Sequence, residues 1–252
     1  MTARIVLVTG ASSGIGRALA LRFAGAGATV AASARRAGEL ERLAKEAAGG
    51  PGRIVALPVD VADEAAMARA CARVESEFGP IDLAVFNAGT HAPISIAAFE
   101  AAPFRRLMEI NYMGVVNGIA AVLPRFVGRR SGHIAVVSSV AGYRGLPQAA
   151  AYGPTKAALI NLCEALKLDL DPLGVRISVI NPGFIKTPMT DPNEFPMPFL
   201  MPVEAAAEAI VAGLERGKFE ITFPRRFTFL VKLARILPYA LYFPLIRKVT
   251  KR

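Results

Sequence analysis

Two patterns of apolar residues alternate along the first 220 positions of this 252-residue chain. One is a short, continuous, β-branched run: RIVLVT (4–9), TVAASA (29–34), RIVALPV (53–59), IDLAVFN (81–87), GHIAVVS (132–138), RISVIN (176–181) and EITF (220–223). Runs apolar at consecutive positions predict strands buried on both faces, which is the parallel arrangement. The other pattern is rich in Ala, Leu, Arg and Glu and has helical length, at 14–25, 38–48, 64–78, 103–127, 152–171 and 203–216. Strand and helix in strict alternation predict an α/β fold, with about seven parallel strands and helices on both faces of the sheet. No repeat, low-complexity tract or linker interrupts 1–223, so that span reads as one domain.

After Phe223 the pattern changes. FTFLVKLARILPYALYFPLIRKVTKR (227–252) is oily and basic and contains no acid. Eight of the ten excess positive charges lie between Ile221 and Arg252: Arg225, Arg226, Lys232, Arg235, Arg247, Lys248, Lys251 and Arg252. The body is therefore nearly neutral, which argues against nucleic acid as a partner, since that would call for basic residues spread over one face. Residues 224–252 read as an amphipathic basic extension. Its longest uncharged run, Ile236 to Ile246, contains Pro238 and Pro244 and is too short to cross a bilayer. Thr228, Lys232 and Arg235 share one helical stripe, with Phe227, Leu230, Val231, Ala234 and Leu237 largely opposite. Tyr239, Tyr242, Arg247, Lys248 and the terminal Lys–Arg pair suit an anionic lipid interface. Two readings stand: peripheral membrane contact through 225–252, or packing on the domain or a partner subunit over the substrate entrance.

Cys71 and Cys163 are far apart and have no metal-ligand spacing, so both read as buried small hydrophobes in a reducing compartment. MTARIVLVTG is too short in its apolar part for a signal core and leads into a glycine motif. The expected location is the cytoplasm, peripherally on the inner face of a membrane if the tail docks there.

VTGASSGIGRALA joins the first strand to the first helix, with Gly10, Gly14 and Gly16 spaced G-x-x-x-G-x-G. That geometry suits a tight turn, close approach to a pyrophosphate, and a helix N-terminus aimed at the anion. The expected contacts are Gly10, Ser12, Ser13, Gly14, Ile15 and Gly16, in a Rossmann-type doubly wound domain. At the end of the second strand Ala34 stands where an NAD site places an acid, and Arg35 and Arg36 follow. An acid would repel a 2′-phosphate, whereas a guanidinium grips one, so NADP(H) is expected over NAD(H). Asp60 and Val61, after the third strand, are expected near the adenine; the alternative for Asp60 is to cap the helix near Asp63.

Tyr152 and Lys156 are four apart on a predicted helix whose first turn holds Pro154. An ammonium beside a phenol favours the phenolate and fits it for acid/base work. Ser138 and Ser139 end the preceding strand. His91 follows NAGT and is a candidate for the cleft wall, while His133 opens the fifth strand at its far end.

Taken together, these motifs resemble the short-chain dehydrogenase/reductase family from about residue 4 to 223. TGASSGIG matches its glycine motif, and NAG (Asn87, Ala88, Gly89) its motif after the fourth strand. INYMG carries Asn111, YGPTK is its Y-x-x-x-K, and Ser139 stands thirteen before Tyr152. INPGFIKT matches its P-G motif with a following threonine. The resemblance implies that Tyr152 gives or takes the proton and that Lys156 lowers its pKa and holds the nicotinamide ribose. It implies that Ser139 polarises the carbonyl and that Asn111, through a backbone bend, holds a water linking Lys156 to solvent. Pro182, Gly183, Ile185 and Thr187 would clasp the carboxamide, and no metal is implied. FRRLMEINYMG with AYGPTK is also similar to ketosphinganine reductases.

The substrate pocket is expected from 89–94, 142–147 and the proline-broken 184–201, whose Phe and Met residues suit an apolar carbonyl or alcohol. The alternative is a soluble small-alcohol dehydrogenase whose tail serves assembly, as homodimer or homotetramer. The intact Asn111, Ser139, Tyr152 and Lys156 set disfavours a non-catalytic nucleotide-binding scaffold.

Overall fold

Seven parallel strands form one sheet in the order β3-β2-β1-β4-β5-β6-β7. They are β1 (Ile5–Thr9), β2 (Thr29–Ala34), β3 (Arg53–Pro58), β4 (Leu83–Phe86), β5 (His133–Val137), β6 (Arg176–Pro182) and β7 (Glu220–Phe223). The computed structural model describes residues 5–191 and 197–250; Arg4, part of the 184–201 loop and the Lys251–Arg252 pair lie outside them. All five residues of β1 are buried. Ile5 and Leu7 face a core shared with α3 (Glu64–Phe78), α5 (Gly114–Gly128) and α6 (Tyr152–Leu170). Val6 and Val8 face the opposite core with α1 (Gly14–Gly25), α2 (Ala37–Glu46) and α7 (Val203–Glu215). Each large aliphatic so placed contributes about 1.5–3 kcal/mol of burial, which is why these strands carry no polar alternation. The strand order reverses between β1 and β4, and the crevice at their carboxyl ends is where such a sheet binds ligands.

The helix expected over 103–127 is two helices, α4 (Ala101–Met108) and α5, joined by a π turn at Glu109–Met113. Its central residue, Asn111, is fully buried. Asn111 Oδ1 accepts from the Thr90 backbone N–H at 2.7 Å, and its Nδ2 donates to the Thr90 carbonyl at 2.9 Å and to Thr155 Oγ1 at 3.2 Å. A π turn inserts one residue into the ladder, and apolar periodicity does not register so local a change. By length and hydropathy alone, Ala101–Gly128 is the one candidate span among the described residues, and half of it is buried in the core.

His133 sits at the start of β5, where its Nε2 lies 2.8 Å from Ser178 Oγ. Ser178 in turn donates to the Lys218 carbonyl, so the ring nitrogen is the donor. The buried Nδ1 has no partner among the described residues. A proton there would be stranded, and burial, with Arg176 nearby, lowers the imidazole to about 4. The ring is a neutral core residue. Cys71 and Cys163 are buried free thiols, pushed up by burial to about 11 and about 12.

The tail forms α8 (Arg225–Ile236) and α9 (Tyr239–Val249). Its orientation is one that the sequence left open. Thr228 is buried, and its hydroxyl donates to Thr222 Oγ1 and the Arg225 carbonyl. Lys232 donates to Glu220 on β7, and Arg235 lies 5.8 Å from the Tyr143 ring centroid. Thr228 therefore faces the domain, and Lys232 and Arg235 reach back to it from the exposed edge of the helix. Of the residues expected opposite these three, Phe227 and Val231 also pack on the core, while Leu230 is exposed with Phe229, Leu233 and Ile236.

Candidate active site

The turn after β1 is built from small residues because backbone meets backbone there. Gly10 has φ +68°, and a Cβ on it would lie 2.8 Å from Ala88 Cα. A Cβ on Gly16 would lie 2.4 Å from the Gly10 carbonyl oxygen and 2.5 Å from Asn87 Nδ2. Thr9 Oγ1 accepts from the backbone N–H groups of Asn87 (3.0 Å) and Ala88 (3.1 Å), and Asn87 Nδ2 donates to the Thr9 carbonyl at 3.1 Å. These bonds tie the glycine turn to the N-A-G segment after β4. Ser13 is the N-cap of α1, yet its side chain makes no capping hydrogen bond. The first-turn N–H groups of α1 are thus left for an anion.

A cleft of about 360 Å³ opens over this turn. From the expected cofactor set it is lined by Gly10, Ser12, Ser13, Gly14, Ile15, Arg35, Arg36, Asp60, Val61, Asn87, Ala88, Gly89, Tyr152, Lys156, Pro182, Gly183, Ile185 and Thr187. Gly16 is the exception: it does not line the cleft and serves the close packing of α1 on the turn. Ala34 lines the cleft at the end of β2. Arg36 donates to Ser12 Oγ at 3.0 Å, and Arg35 has no ion-pair partner among the described residues. Asp63, not Asp60, caps α3 by accepting from the Ala66 N–H at 2.8 Å. Asp60 accepts from the Ala62 N–H and stays exposed at the cleft.

Ser139, Tyr152 and Lys156 share the other wall. Geometry separates the two serines. Ser138 is buried and donates to the Lys156 carbonyl at 2.7 Å, whereas Ser139 is half-buried, accepts from the Ala141 N–H at 3.1 Å and is near enough to Tyr152 to lower its pKa. Lys156 Nζ donates to the Val137 carbonyl at 3.0 Å and lies 5.5 Å from the Tyr152 ring centroid. A Cβ on Gly89 would stand 3.4 Å from Asn111 Oδ1 and 3.5 Å from Lys156 Nζ, so these residues converge although Asn111 does not line the cleft.

The electrostatics depart from expectation. Burial pushes Tyr152 up to about 12, only partly offset by the Ser139 hydrogen bond, and lowers Lys156 to about 8. Desolvation sets the direction for both groups, and on the phenol only Ser139 opposes it. Tyr152 is a phenol at neutral pH.

His91 packs edge-on against Tyr152, with ring centroids 5.1 Å apart and planes at 84°. It does not line the cleft, its buried Nδ1 has no partner among the described residues, and burial lowers its pKa. Sequence reasoning missed Val59, Ile110 and Val137 in the lining, whereas Thr90, Pro188, Met189 and Thr190 fall within the 89–94 and 184–201 segments expected there. Thr190 had a readable signal in T-P-M-T: its hydroxyl accepts from the Thr187 N–H and donates to the Ile185 carbonyl, closing a turn.

The short chain dehydrogenase family model matches residues 4–195. The chain belongs to this family. It is an oxidoreductase of the short-chain type, with the seven-stranded sheet of that family's structures. An uncharacterized oxidoreductase of Myxococcus xanthus is 39% identical over 96% of this chain and 96% of its own length. A 3-oxoacyl-(acyl-carrier-protein) reductase of Thermotoga maritima is 33% identical over 86% and 84%. A short-chain dehydrogenase of Sphingobium yanoikuyae, solved in complex with NADPH, superposes with a TM-score of 0.80 at 28% identity, covering 94% of this chain and 97% of the other.

Proposed function

We propose that the protein is an NADP(H)-dependent reductase of an apolar, lipid-like carbonyl compound, running as a secondary-alcohol dehydrogenase in reverse. The observation that carries the reading is a single cleft lined by Ser139, Tyr152 and Lys156 on the β5–β6 side and by Arg35 and Arg36 on the β2 side. The dinucleotide fits by this chain's own features: glycines where a Cβ would collide, an uncapped α1 N-terminus, and two cations beside Ala34 in place of an acid.

When bound, the nicotinamide supplies the hydride at C4. The residues do the rest. Ser139 Oγ holds the carbonyl oxygen, Tyr152 delivers its phenolic proton there, and Lys156 stabilises the phenolate left behind and holds the ribose. Asn111 positions the Thr90 and Thr155 segments around Lys156 and keeps a water path for the proton's return. In the oxidation direction Tyr152 takes the proton back.

The relative in Thermotoga maritima named as a 3-oxoacyl reductase supports a carbonyl on an acyl chain. Exposed Met189, Phe199 and Leu200 on the 184–201 loop support an apolar substrate. The enzyme would work in the cytoplasm as a homodimer or homotetramer, peripherally attached to the inner face of a membrane. A second reading, a small-alcohol dehydrogenase whose tail serves assembly, draws on the exposed apolar residues of α8 and α9.

A series of ketones of increasing chain length with NADPH tests the substrate class: kcat/KM should climb with chain length, and a preference for the shortest ketones favours the second reading. For the cofactor, Arg35→Asp is expected to raise the KM for NADPH by about tenfold to a hundredfold, the loss of one charge-assisted contact of about 1.5–3 kcal/mol. An unchanged NADPH-to-NADH preference would remove Arg35 from the 2′-phosphate site.

A further inference from the structure

The tail is fixed by its polar groups and shows its oil to the outside. Arg144 Nη1 donates to the carbonyls of Ala234 (2.8 Å), Arg235 (2.9 Å) and Leu237 (2.6 Å), closing the C-terminus of α8. The same guanidinium lies over the Tyr242 ring at 3.9 Å, and Tyr242 donates to the Gly145 carbonyl at 2.6 Å. Tyr143 donates to Glu220, which also accepts from Lys232. Three consecutive residues, 143–145, thus hold both tail helices, and they lie between Ser139 and Tyr152 in the chain. At the other end Phe227 packs near Phe184 and Phe199, with ring centroids 5.5 Å and 6.1 Å apart.

With Thr228 turned inward and Lys232 and Arg235 reaching back to the domain, Phe229, Leu230, Leu233, Ile236, Leu241 and Phe243 are each at least half exposed. Exposed Arg225 and Arg226 stand at the start of α8, Arg247 and Lys248 near the end of α9. No acid follows Glu220 in the sequence. Charge decides what such a face takes. An isologous contact between two copies would set this acid-free, basic surface against itself. A bilayer carrying anionic headgroups offers hydrocarbon for the exposed side chains and countercharge for the cations.

We propose that the outer face of α8 and α9 is a preassembled docking plate for an anionic lipid bilayer, seated against the loops that border the substrate site. It deepens the membrane-proximal, apolar-substrate reading above. Because the plate is already folded on the domain, binding needs no coil-to-helix transition. The residues that bind lipid are the exposed apolar ones, Phe229, Leu230, Leu233 and Ile236 on α8 with Leu241 and Phe243 on α9.

The test is co-sedimentation of the full chain, with NADPH present, on vesicles of phosphatidylcholine alone and of phosphatidylcholine mixed equally with phosphatidylglycerol. The protein is expected to pellet with the anionic vesicles only and to be released by salt. Arg247→Gln with Lys248→Gln should weaken binding about thirtyfold, and Leu233→Ser with Ile236→Ser about tenfold or more. All these residues are exposed, and reduction of a water-soluble ketone by each variant checks its fold. Equal pelleting with both vesicles, or none with either, overturns the proposal. So does a smaller oligomer for Leu233→Ser with Ile236→Ser by light scattering, which would show that a second copy covers the face. Failed pelleting with intact reduction sinks the plate alone. Pelleting without turnover of any carbonyl sinks the reductase reading and leaves the plate.

Discussion

Tyr152→Phe is expected to cut carbonyl reduction by about two to four orders of magnitude, with NADPH binding unchanged by fluorescence titration. The substitution removes one oxygen and one proton from the cleft wall and keeps the ring that packs against His91. The remaining groups cannot replace it. Ser139 carries an alcohol, a poor acid at neutral pH, and Lys156 is directed to the Val137 carbonyl. Turnover within tenfold of the parent would mean that the proton comes from elsewhere. The same wall fixes a pH dependence. Tyr152, at about 12, stays protonated throughout the working range, while Lys156, at about 8, does not. At saturating carbonyl, kcat/KM for NADPH should be level below about pH 8 and fall above it as the ammonium is lost, because this parameter follows the free enzyme's groups. A profile level to pH 10 would contradict the role given to Lys156.

Gly16→Ala should raise the KM for NADPH by more than about tenfold and cost about 1–3 kcal/mol of stability. The added methyl would enter the space of the Gly10 carbonyl, at 2.4 Å, and of Asn87 Nδ2, at 2.5 Å. Neither neighbour can yield cheaply. The first is backbone at a position with φ +68°, and the second holds the Thr9 carbonyl. Either α1 lifts from the turn or the turn loses its tie to β4, and the α1 N–H groups no longer converge on one point. Gly25→Ala, in the same helix with nothing within 4 Å of its would-be Cβ, is the control and should keep normal NADPH binding. If both variants behave alike, crowding at Gly16 is not what demands glycine there. Melting temperature and the KM for NADPH read the two effects separately.

The sheet was legible because every strand is buried on both faces, so its apolar run is unbroken and its length measurable. The lining of one wall of the cleft was legible because glycine, alanine and arginine at strand ends have narrow physical uses. Less local features were not. A π turn differs from α by one residue, and only the side-chain bonds of Asn111 reveal why it is there. Periodicity placed Thr228, Lys232 and Arg235 on one stripe, but a stripe has no inside or outside until its partner is known. That partner is Glu220, at the start of β7. Burial would raise its carboxyl, yet hydrogen bonds from Lys232, Tyr143 and Asn181 hold it below the usual range. The direction of the tyrosine's shift was not legible for a similar reason: spacing places the ammonium four residues on but does not show the burial that raises the phenol.

Arg144's grip on three carbonyls of the tail makes residues 143–145 and 225–249 a single mechanical piece. A chain cut at Pro224 would not be the same enzyme minus an appendage. It would leave the segment between Ser139 and Tyr152 without its backing, with Tyr143 and Glu220 deprived of Lys232. The tail therefore belongs to the frame of the cleft wall that carries Ser139 and Tyr152, and a relative that exchanges one of these two stretches would have to exchange the other with it.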